Sequence, residues 1–232
     1  MPSVLIVLPV YNEENVLFEK VRELTAFLRE HDQYEWKVII ADNNSDDMTG
    51  SIASDLASQD PLVQHLHVHQ KGLGIALRTA WEQADCDYVT YMDIDLSTSL
   101  EALIRAIDLL EAGADIVTAN RFDKNSNIKR CLKREIVSRC YNMILRTTLR
   151  IRIHDAHCGF KGARREIAQD LLNYIEDNGF FFAAEFLFYG KKLGYKIVEF
   201  PVTWTEDLNS KANIVKDAYD DFRGIYRLLI NN

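Results

Sequence analysis

The chain has 232 residues, 47% of them hydrophobic and 27% charged, which suits one globular domain large enough for a real core. A formal net charge of −8 argues against a general nucleic-acid binder, and no stretch approaches the roughly 20 apolar residues of a membrane-spanning helix. Cys86, Cys131, Cys140 and Cys158 form no CxxC pair, so reduced cytosolic thiols are expected rather than a disulfide frame.

The opening "SVLIVLPV" predicts strand 3–10, and its short apolar run with no basic leader reads as a strand, not a signal peptide. "EENVLFEKVRELTAFLRE" predicts a helix and "WKVIIAD" a strand over 36–42. A helix near 47–59, a strand over 62–69, a helix over 72–85 and a strand over 87–93 follow. "SLEALIRAIDLLEAG" then gives a helix and "ADIVTA" a strand. Strand and helix in strict turn imply βαβ units and a mostly parallel sheet. After Ala119 the rhythm breaks. A basic helical segment is expected over 128–150, "HDAHCGFKGA" as extended chain, "RREIAQDLLNYI" and "AAEFLFYGKKLG" as helices, and "YKIVEFPVTW" as a strand. The tail "NIVKDAYDDFRGIYRLLI" carries an apolar helical stripe of Ile214, Ala218, Phe222, Ile225 and Leu229. The abrupt stop after "YRLLINN" leaves room for a trimmed membrane tail. The break near residue 120 divides two functional halves rather than two domains.

Four places concentrate chemistry. Asp93 and Asp95, in "YMDIDLS", would share a strand face at the sheet edge where ligands of open α/β sheets collect. Two such carboxylates repel unless a cation lies between them, and hard oxygens suit Mg²⁺ or Mn²⁺. Helix capping by Asp95, Ser97 and their neighbours is the plainer alternative. Asp42 ends the second strand, where an acid can accept from a ribose or a base, while Ser45, Asp46 and Asp47 suit a helix cap. Lys71, Gly72 and Gly74 would let backbone approach a phosphate, although Gly-x-Gly alone equally describes a tight turn. In "IHDAHC", His154, His157 and Cys158 crowd together, but the spacing matches no structural zinc pattern, so structural or substrate contacts are expected.

Charge is unevenly spread. From Lys124 to Arg152 nine bases stand against one acid, Glu135, so this segment carries +8 and the remainder −16. A basic field of that strength calls for an anionic partner.

"LPVYNEE", "IIADNNSDD", "KGLGIALRTAW", "YMDIDLS" and "TANRF", in this order, resemble the inverting GT-A glycosyltransferases of family 2. "KREIVSRCYN", "DAHCGFKGARREIA" and "EDNGFFFAAEFLFYGKKLGYKIVEFPVTWTED" narrow the resemblance to the polyprenyl-phosphate (dolichyl-phosphate) glucose and mannose synthases, over residues 4 to 220. The resemblance implies a single-domain GT-A fold over 1–232, a Rossmann-like, mostly parallel sheet flanked by helices. Residues 1–120 would bind the nucleotide sugar, and 121–232, ending in an amphipathic helix, the acceptor. It implies that Pro9, Tyr11, Glu13 and Asp42 hold the nucleoside and that Lys71 and Arg78 flank it or its phosphates. Asp93 and Asp95 would hold the metal, Arg121 would face the diphosphate or sugar, and Glu185 would lie near the sugar. Asp95, Arg121 and Glu185 are thus the expected catalytic set, and Arg134 with Ser138 the expected grip on the acceptor phosphate. The chain departs from its relatives at Asn43 and Asn44, where they usually carry Asp-Gly, at Ile94 between the two aspartates, and at Ala183.

The expected reaction moves a hexose from a nucleotide sugar, UDP-glucose before GDP-mannose, to polyprenyl or dolichyl phosphate at the cytoplasmic membrane face. A Mg²⁺ or Mn²⁺ cofactor, peripheral membrane contact and no nucleic-acid partner go with it. A family 2 transferase with another sugar or lipid acceptor, or a non-catalytic anion-binding module, are the alternatives.

Overall fold

The computed structural model describes residues 1–129, 131–206 and 214–231, the side chains of 132–134, 214–220 and 231 apart. Alternation along the first strand sets the architecture. In β1 (Ser3–Val10), Val4, Ile6, Leu8 and Val10 enter one core cluster while Leu5 and Val7 enter another. A strand buried on both faces belongs inside a sheet with helices on either side. β1 pairs in parallel with β2 (Glu35–Asp42) and with β4 (Tyr88–Met92), and β3 (Val63–His67) adds to β2.

One face is covered by α1 (Leu17–Arg29), α2 (Thr49–Gln59) and α4 (Glu101–Glu111). The other is covered by α3 (Leu73–Glu82), α5 (Leu132–Thr148), α6 (Arg165–Leu172), α7 (Phe182–Lys192) and α8 (Ile214–Asn231). Trp81 of α3 anchors this second layer, fully buried with its ring 5.9 Å from Phe182 and 5.3 Å from Phe186. Removing a ring of that kind costs about 3–5 kcal/mol.

The second half does not form a separate unit. β7 (Phe160–Arg164) inserts antiparallel between β4 and β5 (Ile116–Asn120), and β8 (Ile197–Pro201) pairs in parallel with β5. The seven-stranded order is β3-β2-β1-β4-β7-β5-β8. Residues from both halves therefore meet at the end of β4. β6 (Asn127–Lys129) and β9 (Thr203–Thr205) make a small parallel pair nearby.

Two expectations change. The segment expected to be helical from residue 128 begins as β6, and α5 starts only at Leu132. Strand β4 stops at Met92, so Asp93 and Asp95 lie beyond it in a turn closed by Leu96 N donating to Asp93 O at 3.1 Å. The two aspartates are neighbours through this turn and not through strand alternation.

Candidate active site

The turn after β4 is built around an unsatisfied carboxylate. Asp95 is held locally: its Oδ1 accepts from Ser97 N at 2.8 Å and its Oδ2 from Ser97 Oγ at 2.7 Å. No donor among the described residues reaches the Asp93 carboxylate, which is open to solvent on one side and crowded by protein on the others. The crowding and the Asp95 charge push its carboxyl up to about 7. Leu96 adopts φ 52°, a left-handed conformation costly for a side chain of its kind. Opposite, Asp93 N donates to Gly159 O at 3.1 Å, and a Cβ at Gly159 would lie 1.7 Å from Asp93 Oδ2. Only glycine leaves that carboxylate in place. An open, undonated carboxylate beside a second acid, both hard oxygen donors, fits a divalent cation of the Mg²⁺ or Mn²⁺ class.

Beneath this turn lies a buried charge network. Arg121, just past β5, donates to Asp155 from its backbone N (3.0 Å), Nε (2.7 Å) and Nη2 (2.9 Å). Asp155 is fully buried; against the cost of that burial, Arg121 holds its carboxyl below the usual range, and Asp155 in turn raises the Arg121 guanidinium. The guanidinium also lies 5.4 Å from the centre of the Trp204 ring. Lys161 of β7 is buried as well, donating to Cys158 O at 2.8 Å and Tyr91 Oη at 3.2 Å. Burial pulls its ammonium down to about 8. An unfolded lysine titrates near 10.5, so between about 8 and 10.5 the unfolded chain binds more protons and stability should rise with pH. A Lys161→Met variant should lose that alkaline rise in urea melts run at pH 8 and pH 10. An unchanged rise would assign it to another group.

The nucleoside-facing candidates come from three loops laced together. Asn12, in the left-handed region at φ 57°, donates its backbone N to Ser45 Oγ at 3.0 Å, and its Oδ1 accepts from Asp46 N at 3.0 Å. Glu13 N donates to Thr49 Oγ1 at 2.8 Å, and Asp47 Oδ1 accepts from Thr49 N at 2.9 Å; the N-cap position of α2 itself is Met48, not one of the expected Ser45, Asp46 or Asp47. Asn44 has φ 59°, a left-handed conformation that asparagine tolerates better than most residues. Asn43 Oδ1 accepts from Gly72 N at 3.3 Å, and Lys71 Nζ lies 3.3 Å from the centre of the Tyr11 ring. Pro9, Tyr11, Glu13, Asp42 and Lys71 thus sit at one end of the sheet.

Two expected site residues stand elsewhere. Arg78 turns to the end of α6, donating to Leu172 O at 2.8 Å and, in the loop beyond, to Ile175 O at 2.6 Å, so its guanidinium is spent on backbone carbonyls there. Glu185 is 1% exposed. Its Oε2 accepts from Glu176 N at 2.9 Å and Asp177 N at 2.8 Å, and its Oε1 accepts from Arg227 Nη2 of α8. It therefore braces the 176–179 loop from behind. That loop packs on the Lys71 turn: Gly74 N donates to Gly179 O at 3.2 Å, and a Cβ at Gly74 would meet Asp177 O at 2.6 Å. Glu185→Ala should cost about 2 kcal/mol in a chemical melt, because the Glu176 and Asp177 backbone donors lose their acceptor while Arg227 keeps Asp177. A loss under 1 kcal/mol would show that the loop does not depend on it.

Ser138 lies half-buried on α5, and the Arg134 side chain lies outside the described residues. The "HDAHC" residues do not converge on one point. His154 Nδ1 lies 2.6 Å from Glu199 Oε2, whereas His157 stacks on Tyr141 at 3.9 Å and faces Asp221 at 3.6 Å. Burial raises the Cys158 thiol to about 11. Lys161, Asp155 and Gly159 stand in the "DAHCGFK" motif without an assigned role in the sequence; the seating of β7 beside β4 brings this segment to the site.

Residues 5–172 match the model of "Glycosyl transferase family 2". The chain belongs to glycosyl transferase family 2. Among curated relatives, this family 2 chain is 36% identical to glycosyltransferase AglD of Haloferax volcanii, over 93% of its own length but 35% of that protein. It is 29% identical to the polyprenol monophosphomannose synthase of Mycolicibacterium smegmatis, covering 87% of itself and 77% of that enzyme. It is also 29% identical to the dolichol-phosphate mannosyltransferase of Pyrococcus furiosus, covering 98% and 64%. The chain thus spans about a third of the first of these relatives and roughly two thirds to three quarters of the other two. Its fold is that of the GT-A glycosyltransferases. Mannosyl-3-phosphoglycerate synthase from Rubrobacter xylanophilus superposes with a TM-score of 0.74 at 17% identity, over 99% of this chain and 74% of that one. Glucosyl-3-phosphoglycerate synthase from Mycobacterium tuberculosis, solved with Mn²⁺, UDP and phosphoglyceric acid, superposes with a TM-score of 0.71 at 19% identity, over 99% and 78%.

Proposed function

We propose that this chain transfers a hexose from a nucleotide sugar to a polyprenyl or dolichyl phosphate, working against the cytoplasmic face of a membrane. The observation that carries the reading is the Asp93 carboxylate, undonated among the described residues, beside Asp95 at the end of β4 where residues of both halves meet. Asp93 and Asp95 would hold Mg²⁺ or Mn²⁺, which when bound supplies charge against the departing diphosphate. Residues 1–120 would serve the donor, with Pro9, Tyr11, Glu13 and Asp42 at the nucleoside and Lys71 near its phosphates. Arg121, fixed by Asp155, would present positive charge towards the diphosphate without reorganising.

Residues 121–232 would serve the acceptor. A phosphate monoester carries about −1.5 to −2 charges at pH 7, so it attacks without a general base and needs positive charge to hold it. Arg134 and Ser138 are four residues apart on α5 and share a face, a bidentate fork beside a neutral donor. Ile136, Val137 and Met143 on α5 and Phe222, Tyr226, Leu229 and Ile230 on α8 are exposed, a surface suited to acyl chains. Arg146, Arg150 and Arg152 line a groove of about 470 Å³ beside Met143 and suit headgroups. No helix among the described residues is long and apolar enough to cross a membrane.

Arg134→Ala is expected to raise the apparent KM for polyprenyl phosphate while UDP binding stays normal. Transfer at the wild-type rate across acceptor concentrations would remove this acceptor site. The sugar is decided by a donor panel. "DAHCGFK" and "VTWTED" favour UDP-glucose, and the names of two relatives favour a mannose donor. The nucleotide sugar that most raises the Tm with Mn²⁺ present identifies the substrate, because a ligand stabilises by RT ln(1 + [L]/Kd).

A further inference from the structure

Strand β3 ends in two histidines at i and i+2, His65 and His67, which share a face of the strand. The parallel register sets Ile40 against His65 and Asp42 against His67. Asp42 Oδ2 consequently lies 3.2 Å from His67 Nδ1 and 4.0 Å from His65 Nε2. One donor atom from each of the three residues falls within 4.8 Å of the others. Asp42 is 1% exposed, and its second oxygen is occupied by Ser45 N at 3.1 Å.

His65 is the informative member. Its Nδ1 lies 2.9 Å from Ser54 Oγ of α2, which fixes the ring, while its Nε2 is buried with no hydrogen-bond partner. A buried imidazole nitrogen beside a carboxylate it does not reach is an unsatisfied polar atom that calls for an occupant. We propose that Asp42, His65 and His67 bind a transition-metal ion of the Zn²⁺ class. Bonds of about 2.0–2.1 Å put tetrahedral ligand atoms roughly 3.3 Å apart, so the Asp42–His67 contact already fits and the other two pairs, within 4.8 Å, need to close by at most about 1.5 Å. Ser54 supplies the outer contact that orients a ligating imidazole. His67 is exposed, which leaves a fourth position for water. Two nitrogens and one oxygen distinguish this site from the all-oxygen pair at Asp93 and Asp95.

A metal here would also withdraw Asp42 Oδ2 from the nucleoside end of the cleft. This consequence rests on the reading of Asp42 as a nucleoside contact, and by linkage metal and nucleotide would then weaken each other.

Co²⁺ titrated into the full chain provides the test, since it substitutes for Zn²⁺ and absorbs in the visible when held by few ligands including imidazole. Stoichiometric absorption is expected in the wild type and in Asp93→Asn. In His65→Ala and His67→Ala the affinity should fall at least about 10-fold. Absence of the bands, their loss in Asp93→Asn, or their persistence in both histidine variants would overturn the site. Zn²⁺ should then weaken UDP binding in the wild type and not in His65→Ala. Should Co²⁺ and Zn²⁺ bind as expected while UDP affinity stays constant, the metal site stands and the nucleoside role of Asp42 falls.

Discussion

Asp95→Ala and Asp93→Ala are each expected to abolish Mn²⁺-dependent UDP binding while leaving the fold in place. The two substitutions differ in what they remove. Asp93 accepts no hydrogen bond from the described residues, and its ionisation is opposed by the protein crowded around it and by Asp95, so losing it should not lower the Tm. Asp95 anchors Ser97 through two hydrogen bonds, so its loss should cost about 1 kcal/mol and soften the turn. If the pair holds the cation that balances a departing diphosphate, turnover should fall by roughly 10²–10³-fold or more in either variant. Isothermal calorimetry with UDP and Mn²⁺ separates the two effects from folding, which a parallel thermal melt reports. Unchanged UDP affinity in Asp95→Ala would sink the metal assignment.

The sequence made the sheet legible because its central strands are apolar on both faces and its helices keep a clear 3.6-residue period. Asp42, Asp93 and the Lys71 turn could be placed for the same reason: each follows directly on a strand or opens a helix. What was not legible depends on contacts between distant segments. The stretch "HDAHCGFKGA" reads only as extended chain, and the seating of β7 between β4 and β5 is what buries Lys161. The resemblance puts Arg78 with Lys71 beside the nucleotide, yet the carbonyls of Leu172 and Ile175 claim its guanidinium. Glu185 resembles a sugar-side acid by its surroundings in sequence, while the fold turns it inward to the 176–177 backbone and Arg227. Strands of three residues such as β6 and β9 carry too little pattern to be read before their partner is known.

The Arg121–Asp155 pair carries the second large effect. Asp155 has 0% exposure and accepts three N–H groups from Arg121, so removing it strands a guanidinium whose side chain is only 11% exposed. Breaking a buried pair from one side typically costs about 3–5 kcal/mol, because the remaining charge keeps its desolvation penalty without its partner. Asp155→Ala should lose that much in urea unfolding. It should also drive Lys161 further below its ordinary value, since Asp155 is one of the charges that favour the ammonium. Arg121→Ala should lose a similar amount by stranding the carboxylate. The double variant Arg121→Met, Asp155→Leu removes both charges and should recover most of the stability, as replaced ion pairs often do. Turnover separates the structural role from the chemical one. Should Arg121 present charge to the diphosphate, the double variant folds well and remains slow by roughly 10²-fold or more. A double variant that regains both stability and wild-type turnover would reduce Arg121 to a scaffold residue. One whose stability loss equals the sum of the single losses would show that the two side chains do not act as a pair.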